Sequence, residues 1–249
     1  MRFLSLLLFL SCAQAGELRV CADPDNLPYS RSDGAGFENR IAALAAEELQ
    51  ATLAYAWHPQ QRAFVRKTVG AKLCDVWIGV PADFERLLTT KPYYRSSYVF
   101  LFRNERPLQS FDAPDLRQLR IGVQLPGDDL AATPPGHALV LRGAIANVVG
   151  FPVHGAQPSA ERIAHAIARG ELDAAVVWGP QAGFYAREKN LAIREAKPPA
   201  DLSAMPFAFS IAMGVRRGEA KLRDALDAAI ERRRTDIEAI LDAYAVPRL

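Results

Sequence analysis

Apolar positions along this chain follow two periods. In "ELRVCA" (17–22), "TLAYAW" (52–57) and "DVWIGV" (75–80) they form short, dense runs that predict strands. Between these, "FENRIAALAAEELQ" (37–50) places Ile41, Leu44, Ala45 and Leu49 on one helical face, and "RAFVRKTVGA" (62–71) predicts a second helix ending near Gly70. The same order recurs after "SSYVFLFRNERP" (96–107). "LRIGVQ" (119–124) is a strand, "HALVLRGAIANVV" (137–149) a helix and "FPVHG" (151–155) a strand. "SAERIAHAIARG" (159–170) is a helix with Ser159 as N-cap, Glu161 in its first turn and Gly170 as its stop, and "DAAVVW" (173–178) is a further strand. Alternation of this kind predicts parallel sheets with helices packed on their faces.

The two series also share a local pattern. In "KLCDVWIGVP" (72–81) and "GELDAAVVWGP" (170–180) an aspartate precedes an apolar strand that ends in a small residue and a proline. Ligands of such sheets bind beyond the carboxyl ends of the strands, so Pro81 and Gly179-Pro180 are expected to face a crevice. The tail, 207–244, reads as one strand and two helices, with Leu222, Leu226 and Ile230 and then Ile237, Ile240, Leu241 and Tyr244 as buried stripes. It packs most simply back on the first unit. The expected fold is therefore α/β and two-lobed, each lobe a mostly parallel sheet flanked by helices. Lobe 1 comprises 16–103 plus 206–249, lobe 2 comprises 104–205, and the stretch ending in Pro107 (103–107) and the Pro and Ala/Asp-rich stretch 198–206 mark two crossings.

The first fifteen residues change the setting. Arg2, the apolar run Phe3 to Leu10 and Ala13-Gln14-Ala15 form an export signal with cleavage after Ala15, which predicts a periplasmic protein. That run is far short of the roughly 20 residues of a membrane-spanning helix, and no later segment supplies one. With 30 basic and 28 acidic side chains, the net charge of +2 offers no general attraction to nucleic acid or anionic lipid. Cys21 and Cys74 remain after cleavage. An oxidising compartment favours one disulfide between them, worth about 4 kcal/mol in the chain-entropy model; two buried free thiols are the alternative. His58, His137, His154 and His165 are scattered, so no metal site is expected.

Cleft candidates follow from the loops. The first unit offers Asp23, Asn26 and Tyr29 after strand one, Phe37 and Glu38 at the start of its helix, Pro81, and Tyr93-Tyr94-Arg95. The second offers Gln124, Asp128, Pro135, His137, Trp178 and Pro180. Aromatic and proline surfaces dominate, which fits an apolar cavity better than a charge-matched pocket. Packing of Tyr93, Tyr94 and Trp178 in the hinge is the plainer alternative, as is a backbone hydrogen bond for Glu38.

An export signal, two α/β lobes and a double crossover resemble the periplasmic solute-binding proteins of amino-acid importers. Those receptors hold the ligand carboxylate with an arginine after the third strand and its ammonium with an acid at the end of the "GxxDA" strand. Here the first loop reads "GVPADFERLLTT", with Arg86 about three positions late, and Trp178 stands at the second place. Losing both charge-assisted contacts costs on the order of 3–6 kcal/mol, against about 8 for micromolar binding. More narrowly, "CADPDNLPYS", "GFENRIA", "CDVWIGVP", "LTTKPYYRSSYVF", "RIGVQLPGDD", "TPPGHAL", "VVWGPQAG" and "MGVRRG" resemble the MoxJ and XoxJ family of quinoprotein-dehydrogenase-associated binding proteins. The resemblance implies an accessory role, in maturation or activation, beside a periplasmic quinoprotein alcohol dehydrogenase dependent on pyrroloquinoline quinone (PQQ), with its cytochrome c as a further partner. It implies no cofactor and no catalysis in this chain itself. An importer receptor for a small nonpolar or aromatic solute is the second reading. A ring-acid dehydratase is the third; it needs a general acid beside an anion-binding arginine, for which only Glu38 with Arg95 or Arg86 can be offered.

Overall fold

The computed structural model describes residues 16–125, 133–153 and 157–249. The expected leader and Asp128 lie outside them. Strand β1 (Glu17–Ala22) leads through a small hairpin, β2 (Asp25–Asn26) and β3 (Ser30–Arg31), into helix α1 (Phe37–Glu48). Strand β4 (Thr52–Trp57), the single turn α2 (Phe64–Lys67), β5 (Val76–Pro81), the short β6 (Leu88–Thr89) and the long β7 (Tyr94–Phe102) follow. The second series comprises β8 (Ile121–Leu125), α3 (Pro134–Leu141), β9 (Val148–Pro152), α4 (Ser159–Ala168), β10 (Ala174–Trp178), α5 (Gly179–Lys189) and β11 (Ala192–Glu195). Strand β12 (Ala208–Val215) and helices α6 (Ala220–Arg232) and α7 (Arg234–Ala243) complete the chain.

Two parallel triplets, β4-β1-β5 and β9-β8-β10, are joined edge to edge through the antiparallel strands β12 and β7. The sequence places the crossings in loops; the sheet hands over inside strands. Residues 94–97 of β7 pair with β12, and residues 98–102 pair with β10 and β11. Strand β12 pairs with β7 over 208–211 and with β5 from Ile211 onward. One core joins Leu18, Val20, Ile41 and Ile78 to the tail residues Leu226, Ile230, Ile237 and Leu241, so the tail does pack on the first triplet. Two further cores, around Phe100, Phe111 and Leu139 and around Leu101, Ile163 and Val177, sandwich the second.

The repeated aspartates have the same task in both halves. Asp75 accepts from the Arg19 backbone N–H at 3.1 Å and from its guanidinium at 2.8 and 3.0 Å, while its own N–H donates to the Arg19 carbonyl. Asp173 accepts from the Arg120 N–H at 2.8 Å and likewise donates back. Each aspartate thus ties the start of one parallel strand to its neighbour. Cys21 and Cys74 are bridged, with Cα atoms 5.4 Å apart, and are buried beside Phe64, Val69 and Val80.

Four local expectations change. Ala63, in the left-handed region, precedes α2, which holds to one turn; Gly143 at φ +70° follows α3 and its cap, so the helix stops at Leu141 and Val148 already belongs to β9. Ser159 is the first helical residue, not the cap, and its hydroxyl accepts from Gln124. Gly179-Pro180 opens α5 directly, as proline in a first turn allows, so Pro180 is buried in a helix start and not at a crevice.

Candidate functional site

The start of α1 fixes the site. Gly36 carries no Cβ, and one placed there would lie 2.0 Å from the Tyr29 carbonyl oxygen. The chain therefore closes in far enough for the N–H groups of Phe37 and Glu38 to donate to the carbonyls of Pro28 and Tyr29, both at 2.8 Å. Asn39 Oδ1 accepts from the N–H groups of Gly36 and Arg31 at 3.0 Å, pinning the same loop. These bonds satisfy helix donors that otherwise have no partner, and they set Tyr29 and Glu38 side by side.

Tyr29 and Glu38 line a cavity of about 320 Å³ with Gln60, Trp77, Gly79, Pro81, Tyr94, Tyr98, Trp178, Phe209 and Ile211. The sheet supplies most of the wall. Tyr98 lies opposite Trp178 in the β7–β10 register, and Ile211 lies opposite both Pro81 and Tyr94. Tyr98, Trp178 and Phe209 form an edge-to-face series with centroids 5.4 and 5.7 Å apart. Gln124, from β8, holds Trp178 in place: its Oε1 accepts from the Trp178 N–H at 3.0 Å while its Nε2 donates to Ser159 and Gln181.

Glu38 is the charged exception in this wall. Only 7 % of it is exposed, no hydrogen bond or ion pair reaches its carboxyl group among the described residues, and burial pushes that carboxyl up to about 8. One oxygen rests on Gly79, where an added Cβ would lie 2.0 Å away. Burial also pushes the Tyr98 phenol up to about 12 and raises those of Tyr29, Tyr93 and Tyr94 well above their ordinary value.

Beyond Tyr29 and Gln60 lies a second, more polar hollow of about 380 Å³, lined by Asp23, Asp25, Asn26, Gln61, Pro158 and Gln181 among others. Asp23 accepts there from the N–H groups of Asp25 and Gln60.

Of the residues proposed from sequence, Tyr29, Glu38, Pro81, Tyr94 and Trp178 therefore meet at one cavity, and Asp23 and Asn26 at its neighbour. The others lie elsewhere. Phe37 is fully buried beneath Tyr29, Tyr94 and Tyr244, and the Tyr93 hydroxyl donates to the Ile78 carbonyl inside the core. Arg95 is exposed and reaches Ser210, because alternation along β7 turns it away from Tyr94. His137 stands on the exposed side of α3, while Gln124 and Pro180 support the wall from behind. Arg86 is exposed and, like Arg95, does not line the cavity with Glu38, so the acid–arginine pair of a dehydratase is not assembled. Sequence reasoning missed Gln60, Trp77, Gly79, Tyr98, Phe209 and Ile211. The period-2 alternation places Trp77, Gly79 and Pro81 on one face of β5, and this signal was available.

No family model matches this chain. It is 35% identical to the protein MoxJ of Methylorubrum extorquens, over 94% of this chain and 82% of that protein. Among solved structures, the periplasmic binding protein XoxJ of Methylobacterium extorquens AM1 superposes with a TM-score of 0.78 at 33% identity, covering 93% of this chain and 99% of that one. MxaJ from Methlophaga aminisulfidivorans gives 0.79 at 22%, covering 93% and 100%. The topology is that of a type II periplasmic binding protein, and the similarity runs through nearly the whole described chain: the protein belongs to the MoxJ family.

Proposed function

We propose that this chain is a periplasmic accessory protein of a PQQ-dependent alcohol dehydrogenase system, methanol oxidation being the expected setting, and that it assists maturation or activation by binding the dehydrogenase. It acts by binding, without catalysis of its own, through lobes 16–103 plus 206–249 and 104–205. The observation that carries this reading is the cavity itself. Its described walls are aromatic and hold no basic side chain, so the carboxylate of an amino acid has no counter-charge there. MoxJ-family membership supplies the setting. A surface for a partner is at hand: Val140 and Leu141 at the end of α3 and Ile145 in the turn after it are 47, 59 and 58 % exposed.

Tagged protein should co-purify the dehydrogenase from native periplasm, and Leu141→Asp with Ile145→Asp should weaken that recovery. A deletion strain should lose dehydrogenase activity more than uptake of any nutrient. Undiminished dehydrogenase activity in that strain overturns the accessory role. The aromatic cavity also favours the second reading, an importer receptor for a small nonpolar or aromatic solute; tight calorimetric binding of one such metabolite, with normal dehydrogenase activity in the deletion strain, selects it.

A further inference from the structure

We infer that the aromatic cavity under Glu38 is a site for an organic ammonium group, either a methylated ammonium ion free in solution or the lysine side chain of a protein segment. The inference concerns the cavity's own chemistry and goes beyond the accessory role. Six of its eleven lining residues are aromatic: Tyr29, Trp77, Tyr94, Tyr98, Trp178 and Phe209. Ring faces attract cations, most strongly where water is excluded. Glu38, more than nine-tenths buried and with no hydrogen-bond or ion-pair partner among the described residues, is the anionic end of the same box. A buried carboxyl group left unsatisfied is costly unless something compensates it. The adjoining hollow adds Asp23 and Asp25, and neither hollow has a basic residue among its described lining. A positive ligand thus meets ring faces and an acid in one hollow and further acids in the hollow that shares its Tyr29 and Gln60 wall. Trp77 Nε1, in the same wall, is buried with no hydrogen-bond partner among the described residues.

Among the described residues the titratable groups around Glu38 are phenols: Tyr29 from the preceding loop, Tyr55 from β4, Tyr93 just before β7 and Tyr94 at its start. All are raised above their ordinary value, so they stay neutral while Glu38 titrates. An entering cation therefore displaces the Glu38 proton below about pH 8. A neutral hydrogen-bond acceptor shows the opposite dependence, because it needs the proton kept.

Calorimetry on the mature protein tests this with tetramethylammonium chloride, with its neutral isostere tert-butanol, and with lysine blocked at both ends. At pH 8 a cationic probe should bind at least tenfold more tightly than tert-butanol. Its affinity should rise toward tenfold per unit between pH 6 and 7 and level off above 8. Glu38→Gln should lose tenfold or more and flatten the pH profile, and Phe209→Leu should lose several-fold with the pH profile kept. Blocked lysine binding as well as tetramethylammonium assigns the ammonium to a protein segment, and tetramethylammonium alone assigns it to a free solute; both support the site. Equal affinity for tert-butanol, an unaltered Glu38→Gln variant, affinity that falls with rising pH, or no binding of either cation at millimolar concentration overturns it. None of these outcomes depends on dehydrogenase activity, so the two readings fail separately.

Discussion

At the residue scale, Glu38 and Asp75 are carboxyl groups that the fold treats in opposite ways. Burial raises Glu38, with no hydrogen bond to offset it; at Asp75, burial also pulls upward, but hydrogen bonds from Arg19 and Arg216 hold the carboxyl below its ordinary range. The two shifts have opposite consequences for stability. Between about pH 4.5 and 8 the folded protein keeps a Glu38 proton that the unfolded chain has released, so stability falls as pH rises, with a slope approaching about 1.4 kcal/mol per unit. Glu38→Gln should therefore gain on the wild type through this window and level off above it. Urea denaturation at pH 5, 7 and 9 checks this; a difference that does not vary with pH means that the carboxyl is solvated in the fold. Asp75 contributes stability above its unfolded value, and that contribution is lost as pH falls through its depressed folded value. Asp75→Asn should cost about 1.5–3 kcal/mol at neutral pH, read from the same denaturation curves, because it breaks charge-assisted bonds at the start of β5. The sequence shows both acids, but their environments depend on Gly79, Tyr94 and Arg216, which are distant in the chain.

Among elements, the long continuous strands and α1, α4, α6 and α7 were legible because their apolar periods are long and consistent. The failures have specific causes. Gly179-Pro180 is expected in a loop at the crevice, yet "GPQAGFYAREK" is α5. Its Gly183 is required where an added Cβ would sit 1.9 Å from the Ala245 carbonyl, a contact made by the far end of the chain. The disulfide was only one of two possibilities, and strand register explains why. Val20 lies opposite Val76, so straight strands would set Cys74 beside Leu18, and only a bend before β5 brings it to Cys21. Reduction with dithiothreitol should lower stability by about 4 kcal/mol, seen as a lower urea midpoint, since the bridge closes a sequence separation of 53 residues. An unchanged midpoint in protein shown by thiol titration to be fully reduced would refute that. The stretch "ERRR" (231–234) reads as a solvated helix face, and here its three arginines pair with Glu48, Glu47, Asp236 and Glu231.

At the scale of the whole molecule, the two parallel triplets meet through β7 and β12, and the cavity opens where they meet. Tyr94, Tyr98, Phe209 and Ile211 all belong to these joining strands, so the site's walls are also the seam between the two triplets. A box with one acid and no base offers a carboxylate no counter-charge: the common amino acids other than lysine should give no thermal shift, and a shift of several degrees with any of those would restore a transport role. The sequence by itself determined the alternation of strands and helices and the buried stripes of the tail helices, because these are written in local periodicity; the missing charges of an amino-acid clamp show only beside the receptors the chain resembles. The tertiary structure alone decided which aromatics face the cavity and which fill the core, and that Glu38 is buried against Gly79. A side chain's solvation depends on partners from other strands, and those partners are chosen by sheet order and register, which local pattern does not encode.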